Sequence, residues 1–312
     1  MEWAGLINYG VFMLTLAGIY AVMTLGLNLQ WGFTGQFNIG IAGFFAAGAY
    51  ASAILTTPPS ADHLGGFDMP IAVGLLGAVL VSGVLALLVG LVTLNLRTDY
   101  LAIATIGIAE IVRLFLKNED WLTNGVRGVA EIPKALSTTP LDPALADLLV
   151  VLAALAVVYG LLERGRRSPW GRVLRAIRES EPGTQASGKN VFAFRIQAFV
   201  LGSMAMGLSG ALYAHFTGFI SPEAFDPEFI TFLVWVMLIA GGSANNRGAV
   251  LGAMAIWAVW AGTEFLTGKL PAEFTTQAGA LRIFLIGVLV QGILLWRPEG
   301  LLPERQDGKK RG

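Results

Sequence analysis

Few residues of this sequence have the types and spacing that enzyme chemistry needs. The 312-residue chain contains no cysteine, and its two histidines, His63 and His215, lie far apart. A thiolate metal site is therefore excluded, and the closely spaced histidines of a zinc protease are missing. No nucleophile–base set and no pair of catalytic carboxylates stands out. The sequence predicts a protein that is not an enzyme and that uses no metal or cofactor.

The most unusual charges are Glu110 and Arg113, which interrupt an apolar run over residues 100–116. Three positions apart, they share one face of a helix. Ionisable residues inside a membrane span are costly, so they usually pair with each other or line a polar cavity. The polar residues 117–120 follow directly, so the pair can equally lie at the outer end of a span and reach water. Both interpretations stay open at this point.

A second polar group interrupts the apolar region just before residue 41. Gly35, Gln36, Asn38 and Gly40 precede a glycine-spaced apolar stretch that ends near Tyr50. Glycine tolerates a broken helix, and amide side chains can satisfy the backbone groups that a break leaves free. Discontinuous helices of this kind mark transport pathways in membrane proteins. An ordinary turn between two spans explains the same residues.

Residues 168–181 combine a dense set of arginines with helical periodicity. The apolar side chains share one helical face: Val173, Leu174 and Ile177. The arginines recur every third residue on another face: Arg172, Arg175 and Arg178. This pattern predicts a short amphipathic helix, which either docks into a groove of a cytoplasmic partner or lies on anionic lipid.

Residues 183–189 match GxxxxGK, a loop that binds phosphate in many nucleotide-binding proteins. The next residue is Asn190 rather than the serine or threonine that holds magnesium, and no strand is expected before the loop. The sequence therefore predicts no nucleotide site here. If ATP drives this protein, another chain binds it.

Glycines recur at spacings typical of closely packed membrane helices. They are Gly207 and Gly210, the adjacent Gly241 and Gly242, and the GxxxG pair Gly248 and Gly252. Because a glycine lets two helix backbones approach closely, these positions are expected at helix crossings.

The composition indicates that membrane-spanning helices position these residues. The chain is 55% apolar and 13% charged, whereas soluble domains average about 25% charged residues. A span needs about 20 mostly apolar residues. Such runs occur at 10–29, 37–55, 70–96, 100–116, 144–162, 193–217, 228–242, 248–266 and 279–296. The predicted fold class is therefore all-α, a polytopic transmembrane helical bundle of about nine spans. The runs 37–55 and 228–242 are the weakest as plain spans.

Lysines and arginines close to the spans predict the orientation. The loop 163–192 and the C-terminal tail 304–312 are basic, so both are expected in the cytoplasm. With nine spans the N-terminus is then outside. No positively charged stretch precedes the first apolar run, so no cleavable signal peptide is expected. The chain is predicted to be one membrane domain, residues 1–303, and its net charge of zero gives no indication of nucleic acid.

The order of these motifs resembles the LivM-type permease of branched-chain amino-acid ABC importers. The motifs lie at 35–50, 97–105, 110–113, 122–125, 128, 132–133, 168–181, 207–213, 218–222, 241–242 and 297–302. They cover nearly the whole chain in order. One departure follows Glu181, where residues 182–185 replace an alanine-rich stretch, and it concerns the shape of the docking helix.

The resemblance implies a subunit of a heteromeric importer in the inner membrane of a prokaryote, surrounded by lipid. A homologous LivH-type permease would complete the pore, and two ATPase subunits would power alternating access. An extracytoplasmic binding protein would deliver the amino acid. Urea, amides and aromatic acids are alternative substrates within the same family. From another class, an ion-coupled secondary transporter is the alternative, with Glu110 and Glu264 as its acidic candidates.

The resemblance also implies roles for individual residues. The ATPase-coupling residues would be Trp170, Gly171, Arg172, Leu174, Arg175, Ile177, Arg178, Glu179, Glu181 and Gly188. The pathway residues would be Gly35, Gln36, Asn38, Gly40, Thr105, Glu110 and Arg113. Gln36→Leu and Asn38→Leu are then expected to lower uptake without loss of assembly.

Overall fold

The protein is a bundle of helices in a computed structural model that describes residues 2–60, 63–96, 98–134, 142–267 and 275–304. The helices are α1 (Glu2–Leu27), α2 (Ile41–Thr56), α3 (Ile71–Thr93), α4 (Thr98–Asn118), α5 (Asp120–Thr123), α6 (Pro143–Arg167), α7 (Pro169–Glu179), α8 (Glu181–Ala186), α9 (Val191–Thr217), α10 (Pro227–Gly241), α11 (Asn246–Thr267) and α12 (Thr275–Trp296). Within the described residues, the only strand-like pairing is one antiparallel bridge between Val129 and Ile220. The predicted all-α class is therefore confirmed.

Each predicted apolar run overlaps one of the long helices, although residues 37–40 of the run 37–55 are not helical. Among the described residues, four segments are long and apolar enough to cross a membrane: Ile7–Gly32, Ile71–Thr93, Pro143–Arg167 and Val191–Thr217. The two runs expected to be weakest as spans form the shortest of the long helices, α2 with 16 residues and α10 with 15. Arg97, residues 305–312 and the side chain of Glu264, which entered the sequence predictions, lie outside the described residues.

Helix α1 lies in the middle of the bundle and packs against α6, α9 and α11. Its side chains Ile19, Val22 and Leu25 are fully buried. Helices α3 and α6 lie at the periphery instead, and expose large apolar side chains such as Leu88 and Leu161. Apolar side chains can face outward only where lipid replaces water, so this arrangement agrees with a membrane bundle.

Glycines create the closest approaches between helices. At the crossing of α2 and α9, a Cβ on Gly210 would overlap the backbone of Phe45, and a Cβ on Gly207 would overlap Ser82 of α3. At the crossing of α10 and α11, Gly241 lies against the backbone of Gly248 and Gly252. Helix packing by these glycines supports the sequence prediction, and Gly242 additionally has a φ of 110°, a conformation that other residues rarely adopt.

The contacts between helix termini define two ends of the bundle. We name one of them the basic end; it contains the arginine-rich α7, the α10–α11 turn and residues 297–304. In the α10–α11 turn, Asn245 Nδ2 donates to the carbonyl of Leu302 over 3.1 Å. At the opposite end, Tyr9 near the start of α1 donates to Ala261 near the end of α11. The segments 118–133 and 218–226 meet at this opposite end through the bridge of Val129 and Ile220.

Candidate translocation and coupling sites

Helix α1 ends in a break close to the basic end. It continues as a π-helical turn, Asn28–Gly32, and residues 35–40 then run without helical structure before α2 begins. We name residues 35–40 the helix break. Gly35 has a φ of +72°, which favours glycine because it has no Cβ. Residues 35–40 therefore connect two separate helices, and both interpretations of this polar group, a discontinuous helix and a turn between two spans, remain predictions.

Asn38 supplies the main hydrogen bonds of the helix break. Its side-chain amide donates to Gln30 Oε1 over 2.8 Å, and its side-chain oxygen accepts from the amide of Gly40 over 2.7 Å. The main-chain carbonyl of Asn38 accepts from the indole of Trp235 over 3.1 Å. The residue is fully buried. Asn38 therefore satisfies backbone groups of its own segment and joins it to α1 and α10.

Gln30 and Thr105 extend these bonds to two further helices. Gln30 Nε2 donates to the Phe199 carbonyl over 2.8 Å and to Ser203 Oγ over 3.0 Å, both on α9. Thr105 of α4 accepts from the amide of Ile39 over 3.0 Å. We name Gln30, Asn38, Thr105 and Ser203 the polar cluster. The polar cluster joins the end of α1, α4 and α9 around the helix break. Sequence analysis assigned no functional role to Gln30 or Ser203.

Gln36 differs from Asn38 in how many of its polar atoms find partners. Its side-chain nitrogen donates to the Arg195 carbonyl over 2.8 Å. Its Oε1 is buried and has no hydrogen-bond partner within the described residues. Because Gln36, Asn38 and Thr105 are all at most 1% exposed, they lie inside this subunit rather than on its surface.

A second chain of polar side chains runs from the π-helical turn to the basic end. Asn28 Nδ2 donates to Asn246 Oδ1 over 3.0 Å, and Asn246 in turn donates to Glu163 Oε2 over 3.1 Å. Glu163 also pairs with Arg166 and Arg167 at 2.7 and 2.9 Å. These residues received no role from sequence analysis, although Glu163 is an acid next to a predicted span. They fix the ends of α1, α6 and α11 to one another.

Helix α7 lies on the bundle with one apolar face. Leu174 is buried in a cluster with Leu29 and Phe33 of the α1 end and Ala198 of α9. Gly171 and Ile177 are buried beside it, and the indole of Trp170 donates to Gln197 over 2.8 Å. The predicted amphipathic helix is therefore present, and its apolar face packs on the protein itself.

The structure divides the three arginines of α7 between two environments. Arg172 is exposed and Arg175 is half-buried, and neither makes an ion pair with any described residue. Arg178 instead points to the bundle, donates to the carbonyl of Gly32 and lies 2.8 Å from Glu304. A helix turns about 100° per residue, so a three-residue spacing drifts by about 60° at each step. The third arginine thereby reaches the edge of the buried face.

The remaining coupling-loop residues follow α7. Glu179 is exposed, and Glu181 begins α8, where it lies 3.5 Å from Arg195. Gly188 has a φ of +79° in the turn before α9. The GxxxxGK segment thus forms the end of α8 and a turn rather than a loop after a strand.

Glu110 and Arg113 lie towards the opposite end, separate from the polar cluster. The Arg113 guanidinium donates to both carboxylate oxygens of Glu110, at 2.8 and 2.6 Å. They line an open depression of about 610 Å³ that also contains Gly107, Glu223, Asp226 and Glu228, and we name it the acidic depression. Lys117 lies 2.9 Å from Glu223, and this hydrogen bond holds the pKa of Glu223 below its usual range. The pair is thus both self-paired and open to solvent.

Asp147 is a buried acid that sequence analysis passed over. It lies near the start of α6, is 5% exposed, and lines a small space of about 10 Å³ with His215. His215 Nδ1 lies 2.7 Å from the Pro133 carbonyl, so Nδ1 donates and Nε2 can accept from Ser52 over 2.9 Å. An ionisable residue inside the run 144–162 was the signal that could have singled it out.

A family model described as "Branched-chain amino acid transport system / permease component" matches residues 10–294. The chain is 30% identical to the high-affinity branched-chain amino acid transport system permease protein LivM of Escherichia coli strain K12, over 97% of this chain and 72% of that protein.

Two further relatives extend this similarity. A probable branched-chain amino acid transport permease protein LivM of Methanocaldococcus jannaschii is 29% identical, over 92% of this chain and 91% of that protein. The permease protein LivH of Salmonella typhimurium is 26% identical, over 91% of this chain and 94% of that protein. The chain is therefore similar to both types of permease, and more closely to the LivM type.

Proposed function

Because the chain belongs to the family of branched-chain amino acid transport system permease components, we propose that it forms one half of the translocation pathway of an ATP-driven importer. The match over residues 10–294 carries this conclusion, since it runs from within α1 to within α12 and includes the long helices between them. As a transport subunit the chain is not an enzyme. Its cargo is a branched-chain amino acid, as the printed names of its LivM and LivH relatives indicate.

The membrane arrangement has nine crossings, one for each of α1, α2, α3, α4, α6, α9, α10, α11 and α12. Alternation of the helices between the two ends of the bundle supports this count, although α2 and α10 are short for plain spans. The basic end faces the cytoplasm because the arginines of the loop 163–192 lie there. The N-terminus and the acidic depression then face outside, and residues 1–303 form one membrane domain.

A LivH-type permease is the natural second half of the pathway, since the similarity to LivH shows that both types share one family. Two ATPase subunits contact the basic end, and a binding protein delivers the amino acid to the opposite end. An ion-coupled transporter would need a carboxylate that titrates during transport. Asp147 is the buried candidate for such a group, and family membership favours ATP coupling instead.

The seven predicted pathway residues divide into two roles. Five of them hold the helix break inside the subunit and act on the pathway through the shape of this segment: Gly35, Gln36, Asn38, Gly40 and Thr105. Glu110 and Arg113 line its outer mouth, the acidic depression. A zwitterionic amino acid meets both signs of charge there, while an apolar side chain needs no charged site deeper in the pathway.

Gly107→Trp is expected to block uptake while leaving the subunit folded. Gly107 lines the acidic depression, and apart from the adjoining residues of its own helix no atom lies within 4 Å of the position that its Cβ would take. The indole would therefore fill the mouth without displacing the packing of α4. Uptake into proteoliposomes should fall about tenfold or more, with an unchanged melting temperature.

The matched control is Gly160→Trp on the exposed face of α6, where a Cβ likewise meets nothing within 4 Å. Uptake by this variant should equal that of the unmodified chain. Equal uptake by both variants would remove the acidic depression from the pathway.

Arg175→Glu is expected to separate the permease from its ATPase subunits. Leu174 and Ile177 bury the apolar face of α7 in the bundle, so the side with Arg172 and Arg175 is left for a partner. Neither arginine has an ion pair within the described part of the chain, so an acidic groove on the ATPase can pair with them. Reversing one charge should lower ATPase recovery at least about tenfold.

The test is affinity purification of the tagged chain from its native membrane in mild detergent, with mass spectrometry of the recovered proteins. The unmodified chain and the control Arg247→Glu should recover a second permease and ATPase subunits. Arg247 is exposed at the start of α11 and lies outside the coupling loop. If the unmodified chain is repeatedly recovered alone, the importer assignment loses its support, and uptake driven by an ion gradient becomes the next measurement.

A further inference from the structure

Arg178 of α7 contacts two further elements at the basic end, the π-helical turn and the C-terminal segment. It lies on the last turn of α7, its side chain is 25% exposed, and it donates to the carbonyl of Gly32 in the π-helical turn. Its second terminal nitrogen lies 2.8 Å from Glu304. The guanidinium therefore joins α7, α1 and the C-terminal segment.

The carbonyl of Gly32 accepts this bond because the helix break removes its helical partner. In a continuing α-helix the amide of residue 36 would donate to it. The Gln36 amide donates instead to the Gln30 carbonyl, over 3.0 Å. Helix ends leave such carbonyl groups without partners, and a cationic side chain can satisfy them. Arg178 thus occupies a position that the helix break creates.

Glu304 is held in place by the backbone around it. The amides of Leu301 and Leu302 donate to the carbonyls of Ala240 and Gly241, each over 2.9 Å. Gly242 leaves room for this segment, since a Cβ there would overlap the Leu302 carbonyl. The carboxylate that pairs with Arg178 is therefore attached to the end of α10, and the ion pair is anchored on both sides.

Apolar side chains of α7 contact the same part of α1 as the Arg178 guanidinium does. Leu174 is buried against Leu29 and Phe33, which flank the π-helical turn. A displacement of α7 therefore acts on the same few residues of α1 through packing and through the guanidinium. Apolar packing alone would permit α7 to slide over the α1 end. A planar guanidinium that donates to two fixed acceptors instead fixes the position of α7 relative to both acceptors.

We propose that Arg178 is a positioning residue, held by Glu304, that transmits movement of α7 into the π-helical turn and the helix break. The proposal rests on the function proposed above and adds the route by which an ATPase acts on the pathway. Loss of the Arg178 side chain leaves the ATPase bound but lowers the amount of amino acid moved for each ATP hydrolysed. This ratio is a property that a purely structural contact does not change.

The test compares Arg178→Ala, Glu304→Gln and the matched control Arg247→Ala in the complete transporter, reconstituted with its partners in proteoliposomes. ATP hydrolysis and uptake of radiolabelled leucine are measured on the same vesicles. We expect Arg247→Ala to equal the unmodified transporter. Uptake per ATP should fall about tenfold in Arg178→Ala and about twofold in Glu304→Gln, the range over which single contacts change coupling. Arg178→Lys should fall between them, because an ammonium does not reproduce the guanidinium fork.

Three outcomes decide the matter. A lower ratio with normal recovery of the ATPase supports the proposal. An unchanged ratio of uptake to ATP hydrolysis in Arg178→Ala overturns the proposal. The proposal is also overturned if hydrolysis and uptake fall by the same factor in Arg178→Ala and in Glu304→Gln, because the contact is then only structural. If the unmodified transporter shows no ATP-dependent uptake while ATPases fail to copurify, the proposed function itself fails, and this inference fails with it.

Discussion

Gly210→Ala is expected to prevent α2 and α9 from packing at their native distance. A Cβ at this position would overlap the carbonyl oxygen of Phe45 and approach the amide of Ala49. Both are backbone atoms, so no side-chain rotation can remove the clash. Overpacking of this kind costs about 1–3 kcal/mol, and more where the neighbouring backbone cannot move. The variant should show a lower midpoint in thermal unfolding of the purified permease and a smaller yield of monodisperse protein.

The control for this substitution is Gly160→Ala. Gly160 lies in the exposed part of α6, and a Cβ there meets nothing within 4 Å. Alanine favours a helix over glycine by about 1 kcal/mol, so this variant should unfold at the same temperature as the unmodified permease or slightly above it. If both variants unfold at the same temperature, the crossing of α2 and α9 adapts more readily than the glycine contacts indicate.

Asn38→Leu is expected to reduce both folding and transport, whereas Gln36→Leu is expected to reduce transport alone. Leucine at 38 leaves Gln30 Oε1 and the amide of Gly40 without the partners that Asn38 provides. A buried polar group without a partner costs about 1–3 kcal/mol. The side chain of Gln36 makes one hydrogen bond, to the Arg195 carbonyl, and its Oε1 already has no partner within the described residues. Its replacement should therefore cost much less stability.

The two variants are compared by the fraction of folded protein in detergent and by uptake per folded molecule. Sequence analysis predicted one behaviour for both, loss of uptake with assembly retained. The bonds of Asn38 predict that its variant is recovered in smaller amounts and unfolds at lower temperature. Normal recovery of Asn38→Leu would mean that the polar cluster does not stabilise the helix break. Normal uptake by both variants would remove the helix break from the transport mechanism.

Local patterns predicted the elements of this fold well. Each of the nine apolar runs overlaps a long helix, because hydropathy over about 20 residues depends only on neighbours in sequence. The apolar period of residues 168–181 likewise predicted α7 and its packed face, with Leu174 and Ile177 buried. The glycine spacings marked real close contacts, such as Gly241 against Gly248. In each case the property that selects the structure is encoded within a few turns of the chain.

Long-range pairings were not predictable from the same patterns. The segments 118–133 and 218–226 lie far apart in the sequence, but the Val129 amide donates to the Ile220 carbonyl over 2.9 Å. Arg178 was grouped with Arg172 and Arg175 by its spacing, yet it alone of the three reaches Gly32 and Glu304. Asp147 carried no motif at all. Each of these depends on which element becomes a neighbour after folding.

The sequence by itself determined that this chain is an all-α membrane protein with a basic loop, a polar interruption before residue 41 and closely spaced glycines. Composition and short-range periodicity suffice for that, because lipid accepts only backbone segments that satisfy their own hydrogen bonds. Only the tertiary structure decided which polar groups satisfy one another. Gln36 and Arg195 lie 159 positions apart, and Asn28 and Asn246 lie 218 apart. Inside a bundle without water, each such group must find its partner on another helix, so helix packing selects the pairs.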